Sequence, residues 1–220
     1  MKTLFTFPQK AFLGRNIPKN RIYEHASPTK ALKELFVREV DRITWSYKLS
    51  PETLNLPPRA GVREIQVFTV VLKHGSFKHE ILQVIDKAIP SPIIFEIIFE
   101  NLLCYAATYK RPSEADRAKW VISGCFQTEW FPQGNERKPL PVVLDLEALY
   151  HALLRQIIDL PERTAESIAE LVERADRIMI MVREADQMAL RLQRERQFNR
   201  KVEINSNLKI LRSRIEELKQ

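Results

Sequence analysis

Glycine is scarce, five residues in 220, and no GxxxxGK[ST] or GxGxxG run occurs, which argues against a phosphate-cradling loop of the common kinds. Cysteine is scarcer still. Cys104 and Cys125 form neither a disulfide framework nor a zinc-ligand spacing, so no metal site and no cofactor is expected. Long apolar runs are missing too. The longest, near Ile93–Phe99 and residues 102–107, are strand-length and broken by Glu96, Glu100 and Asn101, far from the roughly 18 residues of a membrane span. Residues 1–10 carry Lys2, Pro8 and Lys10 in place of the apolar core of a signal peptide. A reducing cytoplasm, without membrane contact, is the expected setting.

What is present is charge, unevenly spread around a net of +7. Residues 1–30 hold six Lys/Arg against one acid, and residues 31–160 balance at sixteen of each sign. Residues 161–220 hold thirteen bases against eleven acids, yet 191–220 alone has nine against four. A neutral middle with basic ends suits solubility, and equally contact with nucleic acid or an acidic partner.

Residues 1–28 are broken by Pro8, Gly14, Pro18 and Pro28, and read as an irregular arm with a short strand at 4–7. Ser27-Pro28 reads as a helix start, followed at helical spacing by Leu32, Leu35, Phe36, Val40 and Ile43. Alternation over 43–49 predicts a half-buried strand, stopped by Ser50-Pro51-Glu52, where a single helical turn begins. Residues 64–73 are apolar on both faces and predict a strand inside a sheet. A helix from Gly75-Ser76 to about Ala88 comes next. A hairpin of Ile93–Phe99 and residues 102–109 follows, then a strand over 119–130 with Gly124 as a bulge. Residues 133–141 read as a linker. From Asp145 a helix presents Leu146, Leu149, Tyr150, Leu153, Leu154, Ile157 and Ile158 to the sheet and ends at Pro161, and Thr164 caps its successor. The order predicts α+β: a mixed, mostly antiparallel sheet with packed helices over 1–160, and a long heptad-patterned helical tail over 161–220.

In the tail, Leu171, Ala175, Ile178, Val182, Ala185, Ala189 and Leu192 recur at alternating spacings of four and three. Ile204, Leu208, Leu211, Ile215 and Leu218 repeat the spacing out of phase, which places a skip, kink or turn within 193–203. Either a coiled coil between chains or a hairpin fits. The absence of Gly and Pro between the registers favours a continuous helix. So short a tail is expected to need a partner, a second copy or another protein.

Catalytic patterns fail one by one. A restriction-type nuclease needs an acid on one strand and acid-x-Lys on the next; Val71 stands where the acid should be. Acid-x-Lys at Glu136–Lys138 and Glu217–Lys219 falls in a loop and on a helix, where chance accounts for it. His74 and His79 flank a helix start with Asp86 further on, and the plainer account is a pair of surface histidines. Nothing orients Cys125 and His151 as nucleophile and base. The balance favours a non-enzyme, with an unfamiliar site left open.

Binding patterns are stronger. Tyr105, Tyr109, Lys110 and Arg111 on one hairpin suit base stacking and phosphate contact, although tyrosines filling a sheet face beside a solvated basic pair would look the same. Arg191, Arg194, Arg196, Arg200 and Lys201 form a denser cluster, spread around a helix as a solvated exterior would be. Gln197, Phe198, Asn199 and Asn205 interrupt the seam and are candidate docking residues, since a buried Asn fixes register and partner.

Four segments in the first half, Ile17-Pro18-Lys19, residues 43–51 (ITWSYKLSP), residues 64–68 (EIQVF) and residues 85–90 (IDKAIP), together with Gln197 to Asn205, resemble a prokaryotic family catalogued as domain of unknown function 4391. Members often lie beside helicases and DNA methyltransferases of restriction-like or phage-defence loci. The resemblance implies an accessory, DNA-associated role with such an enzyme as partner, and it brings no catalytic residues. The alternative is a nucleic-acid-binding module that uses the basic arm and the 191–201 cluster.

Overall fold

The computed structural model describes residues 4–113 and 120–220. Its chain divides into two units, Met1–Ile158 and Asp159–Gln220.

The first unit is built on a sheet of seven strands among the described residues. They are β2 (Phe12–Asn16), β3 (Val40–Leu49), β4 (Ile65–Leu72), β5 (Ile93–Phe99), β6 (Leu102–Pro112) and β7 (Trp120–Gln127), adjacent in that order, with β8 (Phe131–Pro132) also on β6. All neighbours are antiparallel except β4 and β5, which are parallel and connected through α4 (Glu80–Ala88). The sheet is therefore mixed and mostly antiparallel, and the single helical turn expected after β3 is present as α3 (Pro51–Leu54). β4 lies inside it, as an apolar run on both faces requires.

One face packs Phe68, Val70, Leu72, Phe95 and Ile97 against α1 (Lys19–Ala26), α2 (Lys30–Glu39) and α4. The opposite face is covered by a two-stranded parallel ribbon of β1 (Leu4–Thr6) and β9 (Arg137–Pro139), and by α5 (Leu146–Ile157). Under the ribbon runs a polar row across four strands. Ser46 Oγ and Thr69 Oγ1 are 2.6 Å apart, Thr69 Oγ1 donates to Glu96 Oε2 at 3.4 Å, and Tyr105 Oη donates to Glu96 Oε1 at 3.3 Å. Arg137 Nη1 reaches both Glu96 Oε1 at 3.1 Å and Phe5 O at 2.9 Å, tying the ribbon to the sheet. A carboxylate buried on an otherwise apolar strand persists because it is paired in this way.

Several boundaries differ from the sequence expectation. The arm contains β2 and α1. Ser27 does not start a helix; it closes α1 in a left-handed conformation (φ 46°), its N–H donating to Tyr23 O at 3.0 Å. Thr29 caps α2 instead, its Oγ1 accepting from Leu32 N at 3.3 Å. The α4 helix begins at Glu80, after Phe77. Lys119, where the last long strand was expected to begin, lies outside the described residues. Gly124 (φ 53°) does sit in a bulge, between the pairs Ala107↔Phe126 and Tyr109↔Ser123. The expected linker contains β9. Asp145 caps α5 by accepting from Ala148 N at 2.8 Å, and the helix ends at Ile157, short of Pro161.

The second unit is a helical hairpin of α6 (Ile168–Arg194) and α7 (Phe198–Lys219). Ser167, rather than Thr164, starts α6 through a capping box with Glu170. Ile178 and Ala185 pack against Leu208 and Ile215, with Met181, Met188, Ala189, Leu192, Leu211 and Leu218 around them. Arg174, buried near the start of α6, bonds Glu166 twice at 2.7 Å, Pro161 O at 2.8 Å and Leu218 O at 3.0 Å, so the helices run antiparallel. The continuous helix favoured by the lack of Gly and Pro does not form. Glu195 turns extended (ψ 136°), and its carboxylate accepts from Arg196 N and Gln197 N at 2.7 and 2.9 Å, which supplies the turn with local bonds.

Candidate functional site

Heptad residues on both helices meet inside the hairpin, so the seam finds its partner within the chain. Leu171 and Ala175 are buried, Ile204 is half-buried, and Val182 stands 37% exposed at the seam's edge. The hairpin leaves Ile180 and Ile210 exposed along its length, and its tip exposes the largest apolar side chain. Phe198 is 77% exposed at the first position of α7, with Leu190 and Val202 exposed on either side in sequence. Arg191, Arg194, Arg196, Arg200 and Lys201 are all exposed there as well. Gln197, Asn199 and Asn205 are exposed rather than buried in the seam, so they do not fix its register.

Four of the five cations divide into two groups by position, and Arg196 lies in the turn between them. Arg191 and Arg194 occupy the last turn of α6, where the negative end of the helix dipole favours them. Arg200 and Lys201 occupy the first turn of α7, which holds no acid. There the dipole opposes a positive charge by about 0.3–1 kcal/mol each. The charge of Glu195, which attracts both, offsets part of this cost. Glu195 beside them is held below the usual carboxylate range by hydrogen bonds from the amides of Gln197 and Arg196, so the tip has one fixed negative charge among five cations.

The remaining candidates separate. Lys110 is withdrawn from solvent: its Nζ lies 2.9 Å from Asp86 Oδ1 and donates to the carbonyls of Asp86, Ile89 and Ser91 at 2.6, 2.7 and 3.1 Å. It is a structural cation, and a phosphate could not reach it. Arg111 next to it is half-buried. Tyr105 and Tyr109 are buried in the face opposite Lys110, which leaves no ring for a base to stack on. Cys125 is a thiol rather than a thiolate, since burial pushes it up to about 12. His79 Nε2 meets Gln127 Oε1 at 2.9 Å, while Asp86 is engaged with Lys110 and Thr108. The acid-x-Lys pairs fall at β9 and in the last turn of α7.

The family model for the domain of unknown function (DUF4391) matches residues 5–215, nearly the whole chain, so both the sheet unit and the hairpin lie within it. The chain belongs to this family. No curated protein and no solved structure matches it. Membership therefore brings no residue roles, and the chemistry has to be read from the geometry above. Among the described residues, no helix is long and apolar enough to cross a membrane.

Proposed function

We propose that the protein is a non-catalytic accessory subunit that docks an acidic protein partner through the tip of its C-terminal hairpin. One observation carries this: Phe198 is exposed at the tip, in a stretch of chain with five exposed cations, two of which stand against the helix dipole. A large exposed aromatic beside arginines is the composition of an interface anchor. The heptad residues serve to hold the two helices together, and the tip meets the partner. The partner expected from the family resemblance is a helicase or DNA methyltransferase of a restriction-like or phage-defence system, in the cytoplasm. Self-association through the same tip would bring like charges together and is disfavoured.

Nucleic acid is the second reading, favoured by the exposure of all five basic residues. Affinity purification of the full chain and of Phe198→Asp from the native host, with nuclease treatment, separates the two. Under the docking reading, one protein co-purifies with the native chain after nuclease treatment and is lost from Phe198→Asp. Recovery of nucleic acid alone, with binding that falls steeply with salt, would transfer the function to the second reading.

A further inference from the structure

Segments far apart in sequence close around one cavity of about 260 Å³ in the Met1–Ile158 unit. Its floor is Trp45 of β3 and Phe68 of β4, directly opposite each other, with ring planes 2° apart and centroids 6.2 Å apart. Ile17 and Ile22 form one wall; Ala88, Ile89 and Pro90, at the end of α4, form the other. Eight of the twelve lining residues come from the segments 17–19, 43–51, 64–68 and 85–90 that resemble the family.

A chain of hydrogen bonds holds the floor in place. Trp45 Nε1 donates to Gln66 Oε1 at 2.6 Å, and Gln66 Nε2 donates to Glu64 Oε1 at 2.7 Å. Ser91 Oγ donates to the same oxygen at 3.0 Å, and Lys48 Nζ pairs with Glu64 Oε2 at 2.9 Å. The polar atoms at the back are thus partnered among themselves and the negative charge is neutralised. What remains is an apolar cleft open at one side. An apolar cavity of roughly 150 Å³ holds a benzene ring, so this one has room for two fused rings.

The mouth has the opposite character. Arg21 and His25 stand one turn apart on α1, both exposed. The contact of Arg21 with Glu24, 3.5 Å between two exposed side chains, holds it only weakly. With Glu64 matched by Lys48 and Glu24 only loosely engaged, the exposed guanidinium of Arg21 is the group at the mouth that an anion can reach.

We propose that this cavity binds a small planar aromatic anion, its fused ring laid against Trp45 and Phe68 and its carboxylate or phosphate held by Arg21. The ring takes the apolar volume and the anion takes the exposed guanidinium, so one molecule satisfies both ends. A purine nucleotide and a free aromatic carboxylate share this chemistry.

Calorimetric titration of the full chain with adenosine monophosphate and with indole-3-acetate, beside the neutral adenosine and 3-methylindole, tests the site. One of the two anions should bind saturably, and which one does identifies the source. Ala88→Leu fills the cavity from a helix position that suits leucine; it should abolish binding while leaving the thermal midpoint unchanged or raised. Arg21→Ala, an exposed change, should weaken the anion by about tenfold or more and leave its neutral analogue unaffected. Absence of saturable binding by either anion at millimolar concentration overturns the proposal. So does binding that survives Ala88→Leu, or an anion indifferent to Arg21→Ala. The hairpin tip plays no part, so Phe198→Asp should bind as the native chain does.

Discussion

Lys110 Nζ and Asp86 Oδ1 lie 2.9 Å apart with both side chains sealed from solvent. The contact is a charge pair, because the three hydrogen bonds of the ammonium go to the carbonyls of Asp86, Ile89 and Ser91. Thr108 Oγ1 donates to the other carboxylate oxygen. The pair thus joins the C-terminal end of α4 to β6, and the ammonium supplies donors to Asp86 O in the last turn of α4 and to Ile89 O and Ser91 O just beyond it.

Lys110→Met should cost about 3–5 kcal/mol, because Asp86 is left buried without a counter-charge. Denaturant titration reads the loss. Adding Asp86→Leu should recover much of it, and a single variant as stable as the native chain would show that the pair holds nothing together.

Tyr150 serves the same stretch from the other face of the sheet. Beyond Ala107, where the pairing with β5 ends, its hydroxyl donates to Thr108 O at 2.6 Å and accepts from Lys110 N at 2.9 Å. Tyr150→Phe should therefore destabilise by about 1–3 kcal/mol with no change of volume in the core. Chemical denaturation measures it; a loss within error would mean that water replaces the hydroxyl.

In the hairpin, Ile178 is buried against α7 while Val182, one turn on, is 37% exposed. Ile178→Ala should cost about 2–5 kcal/mol and Val182→Ala well under half as much. The helical circular-dichroism melt of the full chain distinguishes them. Equal effects would mean that the seam faces a different partner.

Burial lowers His151 below its ordinary value, desolvation outweighing the opposing pull of Glu147. The unfolded chain therefore takes up this proton more readily than the folded one. The contribution of His151 to stability is full above the unfolded value near 6.5 and is lost as pH falls through the lowered folded value. His151→Gln should flatten stability across that window; an unchanged slope would assign the acid sensitivity to other groups.

The elements with strong local signals were legible in advance. The two-faced apolar run of β4, the β5–β6 hairpin, the Gly124 bulge and the apolar face of α5 each follow from spacing alone. The tip was legible in part: Phe198 and the basic cluster stand out in the sequence, but their exposure depends on the chain turning at Glu195. Lys110 was misplaced among exposed cations because nothing local shows that α4 ends against it. The cavity was missed altogether. Its lining alternates with core residues on several elements, and Arg21, His25 and Glu64 look like ordinary surface charges.

Periodicity, proline placement and composition determined the α+β class, the helical tail and its two registers, because these depend on neighbours along the chain. Only the tertiary structure decided that the registers satisfy each other, that Arg137 reaches Glu96, and that Trp45 and Phe68 floor a cavity. Those contacts join residues up to 41 positions apart, and in each case the packing of other elements, which no local pattern encodes, determines which partner is met.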